Sequence, residues 1–200
     1  MKDVIAERFA QNLARVRNLV DIYSSQLAGA GRGRRGHAKT DVLRASVVLL
    51  HAAMEDLLRS LAYWKLPDAN ADVLSKIPLV TAAPAMKFNL GDLSAHRGKS
   101  VDDVISASVT GYLERSNYNN NTEIAFLLSN IGVVVANVDS RFTQLEELMK
   151  RRHQVVHRAD RDDTGGQGNH TVRSIGQITV RNWIDDVDHF GNAVLNEIPE

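Results

Sequence analysis

The sequence predicts an all-α fold, and three observations support this prediction. Apolar residues recur at steps of three and four in several long stretches, which is the period of a helix that buries one face. No stretch shows the clear alternation of apolar and polar residues that a half-buried strand requires. Glycine, proline and asparagine cluster between the periodic stretches, where they separate one predicted helix from the next.

The first two predicted helices lie on either side of a basic, glycine-rich segment. The first covers about residues 3–28 and carries one apolar stripe. Residues 29–36 end it, and we interpret them as a flexible basic loop. Thr40 or Asp41 is predicted to cap the second helix, which runs to about Trp64. Because that helix is apolar on most sides, we expect it at the centre of the core.

The middle of the chain predicts turns and then two shorter helices. Three prolines prevent a long helix within residues 66–99: Pro67, Pro78 and Pro84. Ser100 and Asp103 predict a capping box that begins a helix reaching about Arg115. After an asparagine-rich loop, Thr122 and Glu123 begin a helix that is predicted to end near Val135.

Two further helices are predicted in the last third of the chain. Asp139 or Ser140 is expected to cap a helix that extends to residue 158. Residues 160–169 are rich in glycine and aspartate, and they predict a mobile loop. The last helix is predicted to begin near Thr179 and to bury an apolar stripe: Trp183, Ile184, Val187, Phe190, Val194 and Leu195.

These elements predict an antiparallel helical bundle of four core helices within one domain, residues 1–200. The four core helices are those near residues 3–28, 41–64, 140–158 and 179–197. Residues 66–135 form an additional insertion of helices and loops, which we expect to pack on one side of the bundle.

Composition restricts the class of protein. Lys and Arg number 24, and Asp and Glu also number 24, so the balance argues against a protein that coats nucleic acid along its whole surface. Cysteine is absent, which excludes disulfides and thiolate metal sites. The longest apolar run, residues 131–136, is too short to span a membrane. We expect a cytoplasmic protein with no membrane contact and no cofactor.

The segment 148–160 carries the strongest functional signal. It holds three arginines, one lysine and two histidines around a short apolar step. The arginine guanidinium is a planar, permanently charged fork that matches phosphate oxygens, and histidine exchanges protons near neutral pH. Arg152 and His157 are separated by four residues, and Arg151 gives an alternative spacing of five. This combination points to chemistry on a phosphate.

The spacing of Arg152 and His157 resembles the R-x4-H signature of HEPN domains. The helix 45–59, with its acidic pair Glu55 and Asp56, resembles the second helix of the RiboL-PSP-HEPN subgroup. Further similarity covers residues 111–128 and 178–184, in the family's order. The resemblance implies a metal-independent endoribonuclease that acts as a homodimer on RNA. It also implies a toxin or phage-defence effector, with an antitoxin or a defence-system protein as partner.

RNA supplies its own nucleophile, the 2'-hydroxyl, so the site needs only proton transfer and charge stabilisation. His157 fits the acid and base role, and Arg152 fits stabilisation of the charged phosphorane. His153, where the family often has asparagine, is expected to orient the phosphate. Further candidates are RNA contacts from Lys150, Arg151 and Arg158, and support of the site by Glu55 or Asp56.

Helical geometry bears on whether one chain can form the site alone. On a regular helix, five positions at about 100° each place Arg152 and His157 about 140° apart. Either the helix is distorted between them, or a second copy completes the site. A symmetric dimer would place two Arg/His sets around one phosphate.

Other interpretations of the same residues remain open. His153 and His157 are four residues apart and could bind zinc, although the sequence offers no companion ligand. The arginine-rich loop near Arg34 is interpreted as a solvated connection that also offers phosphate contacts. Trp183 and Phe190 are interpreted as core residues.

Two alternatives concern activity itself. The first is a non-catalytic HEPN module that binds RNA or a partner protein through the motif. The second is a toxin controlled by a nucleotidyltransferase antitoxin, which in some relatives modifies a tyrosine in His-x-Tyr. Here the corresponding residues are His157, Arg158 and Ala159, which argues against that control.

Overall fold

The computed structural model describes residues 1–29, 37–80, 91–162 and 172–199. Within these ranges the helices are α1 (Lys2–Ile22), α2 (His37–Lys65), α3 (Ala71–Leu74), α4 (Val101–Arg115), α5 (Asn121–Asn130), α6 (Phe142–Arg158) and α7 (Gln177–Glu197). The described residues contain no β-strand, and their only β-type pairing is an isolated bridge between Arg161 and Val172. The predicted all-α class is confirmed.

The four longest helices form the bundle, and α2 lies at its centre. α2 contacts α1, α4, α5, α6 and α7, as its nearly continuous apolar surface predicts. α1 also packs against α7, and α6 packs against both α2 and α7. Apolar residues from all four helices contribute to one buried cluster, which is the core of the protein.

Side-chain pairs show that neighbouring core helices run antiparallel. Arg8 of α1 donates to Ser60 of α2, and Asn12, one turn later in α1, donates to Asp56, one turn earlier in α2. Arg44, near the start of α2, pairs with Asp160, just beyond the end of α6. This arrangement brings the basic end of α6 beside the first half of α2.

The close packing of α1 on α7 depends on a glycine. A Cβ atom placed on Gly191 would lie 2.3 Å from Cε1 of Phe9, far inside van der Waals contact. The helix interior disfavours glycine by about 1 kcal/mol relative to alanine, so the packing of the Phe9 ring explains its presence there. Phe190 is fully buried next to it, whereas Trp183 is only half-buried at the edge of the core.

Two predicted helix starts were wrong. α2 begins at His37, and Thr40 lies inside it, where its hydroxyl accepts a hydrogen bond from Nη1 of Arg44. Thr40 and Asp41 are therefore residues of the helix itself and do not cap its N-terminus. α6 begins at Phe142 after a single 3-10 turn, Asp139–Arg141, and has no side-chain cap.

The bounds of the later helices agree with the prediction in part. Ser100 and Asp103 form the expected capping box of α4. α5 ends at Asn130 and not near Val135, because the chain turns at Gly132, whose φ is +84°. α7 begins at Gln177, close to the predicted Thr179. Most of the arginine-rich loop, with Arg34, and most of the loop 160–169 lie outside the described residues.

None of the described helices combines the length and apolarity that a bilayer crossing requires.

Candidate active site

α6 presents the basic motif on its last two turns. The helix is α-helical at every position from Phe142 to Arg158, so it is not distorted between Arg152 and His157. Its apolar face buries Leu145, Leu148 and Met149 against the core. A regular helix places Arg152 and His157 about 140° apart. One chain therefore directs these two side chains to different sides of α6.

The two histidines share the exposed face of α6. His153 and His157 are both exposed, and their ring centroids are 4.6 Å apart with planes inclined by 43°. Lys150 is also exposed, and its ammonium contacts Glu146 at 2.7 Å. Arg158 is exposed on the final turn. The imidazoles are accessible to a phosphate in solvent.

Arg152 lies on the side of α6 that faces α2. Its side chain is partly buried, and its Nε is buried without a hydrogen-bond partner among the described residues. The Arg152 charge is close enough to His51 of α2 to disfavour protonation of that ring. The motif arginine is therefore held at the interface between α2 and α6, in contrast to the exposed histidines.

His51 is a site residue that the sequence did not predict. Its ring is 1% exposed, and Nδ1 lies 3.7 Å from Oε2 of Glu55, one turn along α2. Burial lowers the pKa of His51 most strongly, and the Arg152 charge lowers it further. The Glu55 carboxylate and the Tyr118 backbone oppose this by raising the pKa. His51 is therefore neutral in the folded protein, with a carboxylate and a guanidinium beside it.

The two acidic residues of α2, Glu55 and Asp56, make contacts on different sides of the helix. Glu55 faces the site, and its Oε1 accepts a hydrogen bond from the backbone N–H of Tyr118 at 3.4 Å. Asp56 faces α1, where Oδ2 lies 3.1 Å from Nε of Arg8. Of the two carboxylates, Glu55 therefore lies on the His51 side of α2 and Asp56 on the α1 side, because adjacent residues of a helix point about 100° apart.

Arg151 belongs to a different, buried cluster. Asp160 is completely buried, and its Oδ2 accepts hydrogen bonds from Nε of Arg44 and Nη2 of Arg151, both at 2.7 Å. The same guanidinium atom of Arg151 donates to the backbone carbonyl of Ser174 at 3.0 Å. The guanidinium of Arg151 is thus occupied, which disfavours the five-residue spacing. The RNA contact predicted for Arg151 stays a prediction.

The backbone around Asp160 is held in an unusual conformation. Ala159 and Asp160 have φ values of +48° and +56°, in the left-handed region that residues other than glycine seldom adopt. The carbonyl of Asp160 accepts a hydrogen bond from the N–H of Arg173 at 2.9 Å. The prediction that a mobile loop begins at Asp160 is therefore wrong at that residue, because its side chain and its backbone are both bonded.

The described residues contain no group of three or more His, Asp or Glu that could hold a metal ion. The zinc interpretation of His153 and His157 has therefore gained no third ligand from the described part of the fold. A structural zinc site uses four ligands, and a catalytic one uses three.

Comparison with known proteins gives one match. A protein-family model described as RiboL-PSP-HEPN matches residues 10–199. No curated protein and no solved structure matches the chain. The match includes α2, α6 and α7 and the part of α1 from residue 10 onward, with the motif and Glu55 inside it.

Asp160 should contribute strongly to the free energy of unfolding. Asp160→Ala would leave the charges of Arg44 and Arg151 without their carboxylate, and loss of one partner of a buried ion pair costs about 3–5 kcal/mol. Asp21→Ala is the control, because its carboxylate also lies 2.7 Å from an arginine, Arg181, but at the surface. That change should cost less than about 1 kcal/mol. Urea unfolding measures the loss of unfolding free energy in both variants. Small losses of equal size would contradict the interpretation that Asp160 compensates the buried charges of Arg44 and Arg151.

The neutral state of His51 predicts a pH dependence of stability. Because its pKa is lowered in the folded protein, the unfolded chain binds the proton first as the pH falls below about 6.5. Wild-type protein should therefore lose free energy of unfolding between about pH 7 and 5, and His51→Gln should lose less. His189→Gln, which removes an exposed histidine, is the control. Parallel pH profiles for wild type and His51→Gln would show that the buried ring does not contribute.

Proposed function

The chain belongs to the RiboL-PSP-HEPN family, and from that premise we propose that it is a metal-independent endoribonuclease. The observation that carries this proposal is the arrangement of α6. Arg152 is held at the interface with α2, whereas His157 and His153 are exposed on the same helix. A cation on one side of α6 and accessible imidazoles on another are the groups that phosphodiester cleavage requires.

The reaction follows from the chemistry of RNA. The 2'-oxygen attacks the adjacent phosphorus as His157 removes its proton, and the bond from phosphorus to the 5'-oxygen breaks. The His157 imidazole, now protonated, then donates that proton to the leaving 5'-oxygen. Arg152 stabilises the charge that accumulates on the phosphorane oxygens. His153, stacked beside His157, orients the phosphate.

A second copy of the chain would complete the site. Arg152 and His157 point about 140° apart on an undistorted helix. A two-fold axis beside α6 would set Arg152 of one copy against His157 of the other. The exposed strip of His153, Val156 and His157 suits such an interface, because Val156 is an apolar residue that is 46% exposed on the same end of α6 as the two imidazoles. The homodimer is therefore part of the proposal.

The surroundings of the site support this assignment of roles. Arg152 lies close enough to His51 of α2 for its charge to lower the pKa of that ring, and Glu55 lies 3.7 Å from the same ring, so positive charge is presented on the α2 side of α6. Lys150 and Arg158 are exposed on either side of the histidines and would contact neighbouring phosphates. Asp56 is directed away from the site, and its proposed role is structural, at the interface with α1.

The biological setting is a proposal from family membership alone. We infer a cytoplasmic toxin or phage-defence effector that acts on cellular or viral RNA. A regulating antitoxin or defence-system partner belongs to that setting. The alternative, a non-catalytic module that binds RNA or a partner protein, predicts binding without cleavage.

Substitutions in the motif test the enzyme. Arg152→Ala and His157→Ala should each lower the rate of RNA cleavage by a factor of about 100 or more, because each removes a group that acts in the transition state. His189→Ala, which removes an exposed histidine of α7, should retain wild-type activity. Gel assays of a labelled RNA measure the rates, and thermal unfolding verifies that the variants are folded. Undiminished cleavage by both motif variants would exclude the proposed site.

The products distinguish this mechanism from a metal-dependent one. Cleavage should persist in excess EDTA, leave a 2',3'-cyclic phosphate and stop at a 2'-deoxy position. A requirement for metal and a 3'-hydroxyl product would instead support metal-activated water, with His153 and His157 as ligands. RNA binding that depends on Arg152 but gives no cleavage would support the non-catalytic module.

A further inference from the structure

The insertion carries a cavity that the proposed reaction does not use. Its volume is about 260 Å³, and none of its lining residues belongs to α6. Its walls come from Leu66, just after α2, and from the segments of α3, α4 and α5. At about 30 Å³ for each water molecule in the liquid, the space equals roughly nine water molecules, which is the size of a ligand with about ten non-hydrogen atoms.

The inner walls of the cavity are apolar. Leu66 and Leu127 line it although they are only 2% and 4% exposed, so they form its innermost surface. Three further lining residues are partly buried against the main core: Val73, Ile77 and Tyr112. Because an apolar ligand leaves water when it covers such walls, they favour a ligand with an apolar body.

The exposed lining residues form the mouth of the cavity, and Phe126 is the apolar one among them. Its side chain is 47% exposed, whereas the next residue, Leu127, is buried. Phenylalanine is usually among the most buried residue types. A ligand that covers this ring would remove apolar surface from water, which adds to its affinity.

Two cations lie at the same mouth. Lys76 and Arg115 line the cavity, and both are exposed. Nζ of Lys76 lies 5.2 Å from the centre of the Phe126 ring and donates to a neutral acceptor, Oδ1 of Asn130, at 3.2 Å. Arg115 has no hydrogen-bond or ion-pair partner among the described residues. Neither positive charge is therefore paired with a carboxylate in the part of the chain that the structure describes.

Glu123 is the acidic residue among the lining residues, and it already has a structural role. It lies in the first turn of α5, and its Oε2 accepts a hydrogen bond from the backbone N–H of Asn119 at 2.9 Å. The N-terminus of the helix also stabilises a carboxylate at this position. Two cations against one carboxylate leave an excess of one positive charge in the lining. That excess matches a ligand with one negative charge.

We propose that this cavity binds a small amphipathic monoanion, whose apolar body lies between α3, α4 and α5 and whose carboxylate lies beside Lys76 and Arg115. Octanoate has this charge and this size. Lysine and arginine supply both the complementary charge and the hydrogen-bond donors that a carboxylate accepts. The site goes beyond the proposed cleavage reaction, because it contains no residue of α6 and its ligand carries no phosphate.

Titration of the intact, isotope-labelled protein tests the proposal, with the backbone amide NMR signals as the measurement. Octanoate should bind with a Kd on the order of 0.1–1 mM, as expected for a ligand of this size. The signals that shift should be those of the lining segments, residues 112–118 and 126–130. Octanol, which has the chain without the charge, should bind about 5-fold more weakly. Octylammonium, with the opposite charge, should bind more weakly still, and acetate should cause no shift.

Substitutions separate the charge from the apolar contact. The double variant Lys76→Gln, Arg115→Gln should weaken octanoate binding about 5-fold, to the affinity of octanol, and should leave octanol binding unchanged. Phe126→Ala should weaken both ligands by a similar factor of about 5, because it removes apolar contact alone. Arg97→Gln, which removes an exposed arginine outside the cavity, is the matched control and should bind both ligands as wild type does.

Three results would overturn the proposal. Octanoate shifts none of the cavity signals, octanol and octylammonium bind as tightly as octanoate, or the double variant binds octanoate as tightly as Arg97→Gln does. Thermal unfolding verifies that the variants are folded, as expected because the substituted side chains are exposed. His157→Ala should bind octanoate as wild type does, so a failure of the cleavage mechanism would not be mistaken for a failure of this site.

Discussion

The ion pairs of Asp160 connect the parts of the protein on which the site depends. A completely buried carboxylate binds Arg44 of α2 and Arg151 of α6, and both arginines also bond to carbonyls in the segment before α7. Three of the four core helices are therefore fixed relative to each other at one end of the bundle. The left-handed backbone at Ala159 and Asp160 is retained because these contacts compensate for its strain.

This constraint also determines which arginine is available for chemistry. Asp160 engages Arg151, whereas the next residue, Arg152, lies beside His51, and its Nε has no hydrogen-bond partner among the described residues. The exposed face of α6 then carries His153 and His157. Tyr118 connects this region to the insertion, since its backbone N–H donates a hydrogen bond to Oε1 of Glu55 on α2.

The sequence predicted the four core helices because burial of an apolar stripe imposes a period that is visible in a single chain. It predicted helix ends less well. Thr40 looked like a cap, yet it lies inside α2 and binds Arg44, and Gly132 ended α5 before the apolar run was complete. Asp160 was assigned to a loop because its neighbours are polar. Its partner Arg44 lies 116 positions earlier, and such a pairing leaves no local pattern. His51 was missed because the motif residue near it, Arg152, lies far along the chain. The four-residue spacing of His51 and Glu55 was nevertheless a usable signal.

In the proposed enzyme two copies of the chain share each site, and mixing of inactive subunits tests this arrangement. Arg152→Ala and His157→Ala proteins are prepared separately, shown to be inactive, and then mixed under conditions in which subunit exchange is verified. Half of the dimers should become mixed, and each mixed dimer would hold one intact pairing of Arg152 with the other chain's His157. Activity should therefore return to about a quarter of the wild-type value. No recovery after complete exchange would show that Arg152 and His157 do not act across a dimer.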